Sequence, residues 1–136
     1  MEIPEILKNL NAQKQIEYLV KKYSGKRIVI YGAGKFFDVL KKEYDLSGLN
    51  VIAVSDKKFS EIKEPVFDES VGYSVIAPMR IYTLKPDMVL LCVQEDYFVE
   101  KDICENIFKQ TGHKFKYTPF FKRTLGERIF QDWEDF

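Results

Sequence analysis

Apolar residues recur at Ile3, Ile6, Leu7 and Leu10, and again in a shifted phase at Ile16, Leu19, Val20 and Tyr23. Both sets have the three- and four-residue spacing of a helix face. The slip across residues 9–11 predicts two short helices or one kinked helix, with Asn11 as a cap for the second. Ser24-Gly25 closes this segment. Residues 26–31, KRIVIY, form a β-branched run closed by glycine, the pattern of a buried strand. Phe36, Phe37, Leu40 and Tyr44 return to helical spacing, DLSGLN interrupts it, and VIAVSD reads as a second strand. Strand, glycine turn, helix and strand together fill about 30 residues, the size of a βαβ unit.

Beyond Asp56 the pattern loosens. KKFSEIKEPVFDESVG has the charge density of a solvated loop, and YSVIAP is a short third strand followed by a brief helix ending at Lys85-Pro86. DMVLLCV is the most apolar strand, which predicts a place at the centre of the sheet. A helix over about 96–110 carries Val99, Ile103 and Ile107 on one face, HKFKYTPFF supplies a fifth strand, and RTLGERIFQDWEDF suggests a closing helix.

Strands alternating with helices imply a mostly parallel sheet with right-handed crossovers. The expected fold is α/β, a Rossmann-like three-layer α/β/α arrangement with five strands in the order 3-2-1-4-5. Residues 1–24 form a helical extension, 26–118 the nucleotide-binding core and 119–136 a C-terminal tail, all in a single domain 1–136. In such sheets a ligand binds outside the carboxyl ends of the strands, where the strand order reverses. Here that is the glycine turn, the Asp56 region and the segment after Cys92.

Composition narrows the function classes. A chain of 136 residues, 46% hydrophobic, suits one globular core. Its 21 basic and 21 acidic side chains cancel, so no global field recruits nucleic acid or an anionic membrane. The basic and aromatic interleaving of HKFKYTPFFKR reads more simply as an edge strand with lysines in solvent. No apolar stretch reaches bilayer length, and MEIPEILKNLNAQKQ lacks a signal-peptide profile, so a cytoplasmic chain without a membrane span is expected. Cys92 and Cys104 lack C-x-x-C spacing and read as reduced core thiols.

The chemistry concentrates in GAGKF. Gly32 allows a sharp exit from the strand, and Gly34 removes a side chain where a pyrophosphate approaches the backbone. Phe37 stands where G-x-G-x-x-G places its third glycine, whose role is close helix packing rather than anion binding. Amides at the start of the following helix, aided by its dipole and by Lys35, suit a phosphate. Asp56 follows Gly34 by 22 residues, where a carboxylate takes ribose hydroxyls or meets another part of a nucleotide, and Lys57 and Lys58 directly after it leave room for a 2′-phosphate. The expected binding residues are Gly32, Ala33, Gly34, Lys35, Phe36, Asp56, Lys57, Val93 and Gln94. A P-loop is excluded, because Phe36 follows Lys35 where a magnesium-binding hydroxyl is required.

No catalytic set emerges. His113, the single histidine, falls away from the predicted crevice, which also excludes a histidine metal cluster. Tyr-x-x-x-Lys, a dehydrogenase acid-base pair, occurs as Tyr18/Lys22, Tyr31/Lys35 and Tyr97/Lys101. The first two sit before or across the glycine turn, and the third comes one strand too early. A methyltransferase turn would carry an acidic residue shortly before the glycines, and residues 28–31 contain none.

The run KRIVIYGAGKFFDVLKKE, with LNVIAVSDKKF, GYSVIAP and KPDMVLLCV, resembles the nucleotide-sugar-binding module at the N-terminus of bacterial sialic-acid-type sugar acetyltransferases. The likeness spans about residues 26–95. It implies that Gly32 to Lys35 cradle a diphosphate, that Asp56 meets the nucleoside, and that the setting is surface-polysaccharide biosynthesis. The hexapeptide-repeat helix that carries acetyl transfer is missing, so catalysis would need a partner chain.

Three readings follow. The first is a non-catalytic or partner-dependent module binding a nucleotide-sugar or NAD(P), without a metal. The second is a small NAD(P)-dependent oxidoreductase or epimerase-like enzyme, and the third an interaction protein with an empty fold. The tail residues Phe120, Phe121, Leu125, Ile129, Phe130, Trp133 and Phe136 exceed what one closing helix buries easily. They predict a homodimer, or a complex with a glycan-biosynthesis enzyme, formed with the N-terminal helices.

Overall fold

The computed structural model describes residues 2–93 and 97–122, with side chains of 97–102 left aside. Gln94, Asp96 and the tail residues Leu125, Ile129, Phe130, Trp133 and Phe136 lie outside the described residues, as does the closing helix expected there. The chain begins with α1 (Ile3–Asn9) and α2 (Ala12–Lys22), two helices as the phase slip allows. Asn11 makes the break by adopting a left-handed conformation, φ 58°, and its side chain makes no capping bond. Asparagine tolerates that conformation better than most residues, so the junction uses its backbone rather than its amide.

Among the described residues six strands follow, β1 (Ile28–Tyr31), β2 (Val51–Ser55), β3 (Val66–Asp68), β4 (Tyr73–Ile76), β5 (Met88–Leu91) and β6 (Tyr117–Pro119), ordered β3-β4-β2-β1-β5-β6. Two further helices connect them, α3 (Lys35–Glu43) between β1 and β2, and α4 (Tyr97–Thr111) between β5 and β6. Segments Lys57–Phe59 and Pro78–Leu84 are 3-10 turns. The α/β class holds. The five-strand expectation is corrected to six, because the charged segment read as solvated loop contains β3, paired antiparallel to β4 with Phe67 opposite Ser74.

That hairpin is held by its turn rather than by burial. The Asp68 carboxylate accepts from the amides of Ser70 (2.9 Å) and Val71 (3.2 Å), and Gly72 turns at φ 82°. Lys41 on α3 donates to the carbonyls of Ser70 and Val71 at 2.9 and 2.7 Å. Val66 and Phe67 stay exposed at this edge, which is why no alternating apolar pattern announces the strand. The most apolar strand, β5, is not central: it lies between β1 and edge strand β6. Its hydrophobicity follows from cover on both faces, not from position.

Successive residues of β1 point to opposite faces. Ile28 and Ile30 join Leu7, Ile16, Leu19, Phe37 and Leu40 in a core beneath α1, α2 and α3. Val29 and Tyr31 join Ile76, Ile81, Leu91 and Cys104 beneath α4 and the second 3-10 turn. Helices therefore cover both faces of the sheet. Among the described residues no helix is long and apolar enough to cross a membrane.

Candidate functional site at the glycine turn

The carboxyl ends of three strands are level where the turn leaves the sheet. Tyr31 stands opposite Ser55 on β2 and Leu91 on β5. The Gly32 amide donates to the Ser55 carbonyl at 2.8 Å, and the Cys92 amide donates to the Tyr31 carbonyl at 2.7 Å. The β1 exit is thus pinned from both sides.

The two glycines differ in kind. Gly32 has φ 114°, and a Cβ placed there would lie 2.4 Å from the Cys92 carbonyl oxygen and 2.6 Å from a Val93 methyl. Only glycine fits, for reasons internal to the chain. Gly34 is extended, φ −90° and ψ −163°, and a Cβ there would meet nothing within 4 Å. It is the N-cap of α3 and supplies no capping side chain. The first helical bond runs from the Asp38 amide to the Gly34 carbonyl at 3.1 Å, so the amides of Lys35, Phe36 and Phe37 precede the intrahelical ladder.

Asp56 and Lys58 clamp the middle of the turn. One Asp56 carboxylate oxygen accepts from the Ala33 amide at 2.7 Å, and the other accepts from the Lys58 amide at 3.2 Å, capping the 3-10 turn that follows β2. Lys58 Nζ donates to the Ala33 carbonyl at 2.6 Å. Both polar groups of Ala33 are therefore held from the end of β2. A carboxylate offers about four lone-pair positions, and these two bonds leave the half-buried Asp56 capacity for further donors.

The other expected residues divide. Lys35 is exposed at the start of α3, and Lys57 is exposed beyond β2. Phe36 contributes at most its amide, since its ring is buried and meets Phe121 edge-on at a centroid distance of 6.1 Å. Val93 touches the turn through the methyl near Gly32. Phe37, in the third-glycine position, is fully buried 6.1 Å from the Tyr73 ring. It anchors α3 to the sheet instead of obstructing the turn.

A cavity of about 360 Å³ opens beside the turn, on the α4 side of the sheet, lined by Tyr31, Lys57, Ser60, Met79, Asn106 and Ile107 among others. Sequence reasoning missed it. Its walls come from four separate segments, and the periodicity of each segment records only that it is half-buried. Lys58 was also missed as a clamp, although its place two residues after Asp56 was a usable signal.

No family model, curated protein or solved structure matches this chain. The site is therefore read from its own geometry. Tyr31 is 5% exposed, and its phenol is pushed up to about 12 by burial, then by the nearby Asp56 and Cys104. Because the folded value exceeds the unfolded one, the stability that the neutral phenol contributes is complete below pH 10 and lost as pH rises through 12. Denaturation midpoints measured from pH 8 to 12 are expected to fall over the upper part of that range, and Tyr31→Phe to fall less. Equal slopes for the two proteins would contradict this assignment.

His113 lies apart from the site, exposed and stacked on Tyr82 at 4.1 Å. The Tyr97/Lys101 pair is on α4, but both side chains lie outside the described residues.

Proposed function

We propose that the chain is a nucleotide-binding module of Rossmann-like design, taking a nucleotide-sugar or dinucleotide, with any chemistry supplied by a partner chain. The observation that carries this reading is Gly34. Neither its backbone conformation nor its surroundings require glycine, and a Ser, Thr, Asp or Asn there would put a side chain over the α3 amides while adding only about a few tenths of a kcal/mol to the cap. A bare, open N-cap beside a fixed carboxylate suits a phosphate on the α3 amides and hydroxyls on Asp56. The resemblance to nucleotide-sugar modules supports a role in surface-polysaccharide biosynthesis. It also supports association with a second copy or with an enzyme of that pathway.

The expected tail interface is narrowed. Phe120 and Phe121 are buried in the core beneath the N-terminal helices. Gln15 on α2 grips the chain at this point, donating to the Lys122 carbonyl at 2.9 Å and accepting from the Lys122 amide at 2.7 Å.

One observation favours the empty-fold reading: the Ala33 amide is already taken by the chain's own Asp56. A thermal-shift screen against NAD, NADP, UDP-sugars, CMP-sugars and S-adenosylmethionine separates the two. Stabilisation by at least one nucleotide is expected, and none at millimolar ligand would favour the empty fold. With that ligand, Asp56→Ala is expected to weaken binding by about 1.5–3 kcal/mol, the range for hydrogen bonds to a charged group. Asp56→Asn, whose amide oxygen can still accept from Ala33, is expected to lose less. Affinity that rises in both variants would mean that the carboxylate only repels the phosphate.

A further inference from the structure

We propose that the cavity beneath α4 is the pocket for a flat heterocyclic ring, the base of the bound nucleotide, with its edge read by the Tyr31 hydroxyl and Asn106. This rests on the nucleotide-binding reading of the glycine turn and names the part of the ligand that the turn itself leaves unspecified.

The first support is the Tyr31 hydroxyl. The Tyr31 side chain is almost wholly buried and lines the cavity. Buried phenol hydroxyls ordinarily find a partner. A ring seated in the cavity can supply one to Tyr31. Because the phenol stays protonated across the physiological range, it can both donate and accept, as an edge of ring nitrogens and exocyclic groups demands.

The second support is the character of the walls. Ala77, Pro78, Met79, Ile103 and Ile107 are apolar and suit the faces of a planar ring. A sugar would leave many hydroxyls facing hydrocarbon, at a cost for each one unpaired. Asn106, whose amide carries both donors and an acceptor, and the Ser60 hydroxyl are the uncharged polar side chains beside Tyr31. A few placed polar groups in an apolar pocket are what orient a small ligand.

The third support is continuity. Tyr31 is three residues before Gly34, so their Cα atoms are at most about 11 Å apart. Lys57, which also lines the cavity, directly follows Asp56. A ring in the cavity therefore leaves its attached sugar near Asp56 and its phosphate near the α3 amides.

Binding of adenosine, guanosine, cytidine and uridine, which lack phosphate, isolates this pocket from the turn. Calorimetry on the full chain is expected to show at least one of them binding. Asn106→Leu, at an exposed helix position, and Tyr31→Phe are each expected to weaken it about tenfold, the loss of one hydrogen bond. Met79→Trp, which fills the cavity, is expected to abolish it. No nucleoside binding, or binding indifferent to all three cavity variants, overturns the proposal. Failure of the phosphate reading looks different: the nucleoside binds and responds to the cavity variants, but its 5′-phosphates bind no more tightly.

Discussion

Gly32→Ala is expected to destabilise the protein by about 2–6 kcal/mol, the larger of two opposed outcomes at neighbouring glycines. At φ 114° a side chain suffers backbone strain of about 1–3 kcal/mol. The new methyl would also stand 2.4 Å from the Cys92 carbonyl oxygen and 2.9 Å from its carbon. These are backbone atoms of the segment leaving β5, held by the hydrogen bond that the Cys92 amide donates to the Tyr31 carbonyl, so they cannot rotate away as a side-chain tip would. Forcing them apart adds about 1–3 kcal/mol by analogy with overpacked cores. Urea unfolding followed by circular dichroism measures the sum. A variant within 1 kcal/mol of the parent would show that the turn is not pinned as described.

Gly34→Val is expected to do the reverse, keeping the fold and removing the ligand. Its extended backbone accepts a β-branched residue, and a Cβ there meets nothing within 4 Å. The stability change is expected to stay within about 1 kcal/mol, as for surface substitutions and weak cap changes. The valine methyls would instead occupy the approach to the α3 amides. Losing two hydrogen bonds to a charged phosphate, at about 1.5–3 kcal/mol each, amounts to more than a hundredfold in affinity. Calorimetry with the nucleotide found by thermal-shift screening reads this directly. Unchanged affinity would end the phosphate-cradle reading, whereas a large stability loss would mean that the glycine serves the fold after all.

Much of this arrangement was legible in the chain itself. The helical phase slip before Ala12, the glycine-closed run ending at Tyr31, and the spacing from Gly34 to Asp56 each depend on local periodicity or on a residue type with few conformational uses. Such signals survive without knowledge of neighbours. Thus α1 and α2, the βαβ unit, and the place of Asp56 at the same strand ends as the glycine turn could be stated in advance, whereas its bond to the Ala33 amide could not.

Other features depend on what lies across the sheet, which no local pattern records. Strand β3 forms because Asp68 and Lys41 organise its turn, while its own residues stay exposed. Phe37 and Phe121 became core residues because α3 and the end of β6 converge on one face. The roles of the two glycines separated only when Cys92 and Val93 were brought beside Gly32 and open space was left at Gly34. The same holds for Tyr31. In the sequence it is the last residue of an apolar strand, and only the packing of α4 and the 3-10 turns around it puts its phenol at a cavity wall. Periodicity specifies which face of an element is buried, but the chemistry of a site arises from distances between elements, and those are decided by tertiary packing.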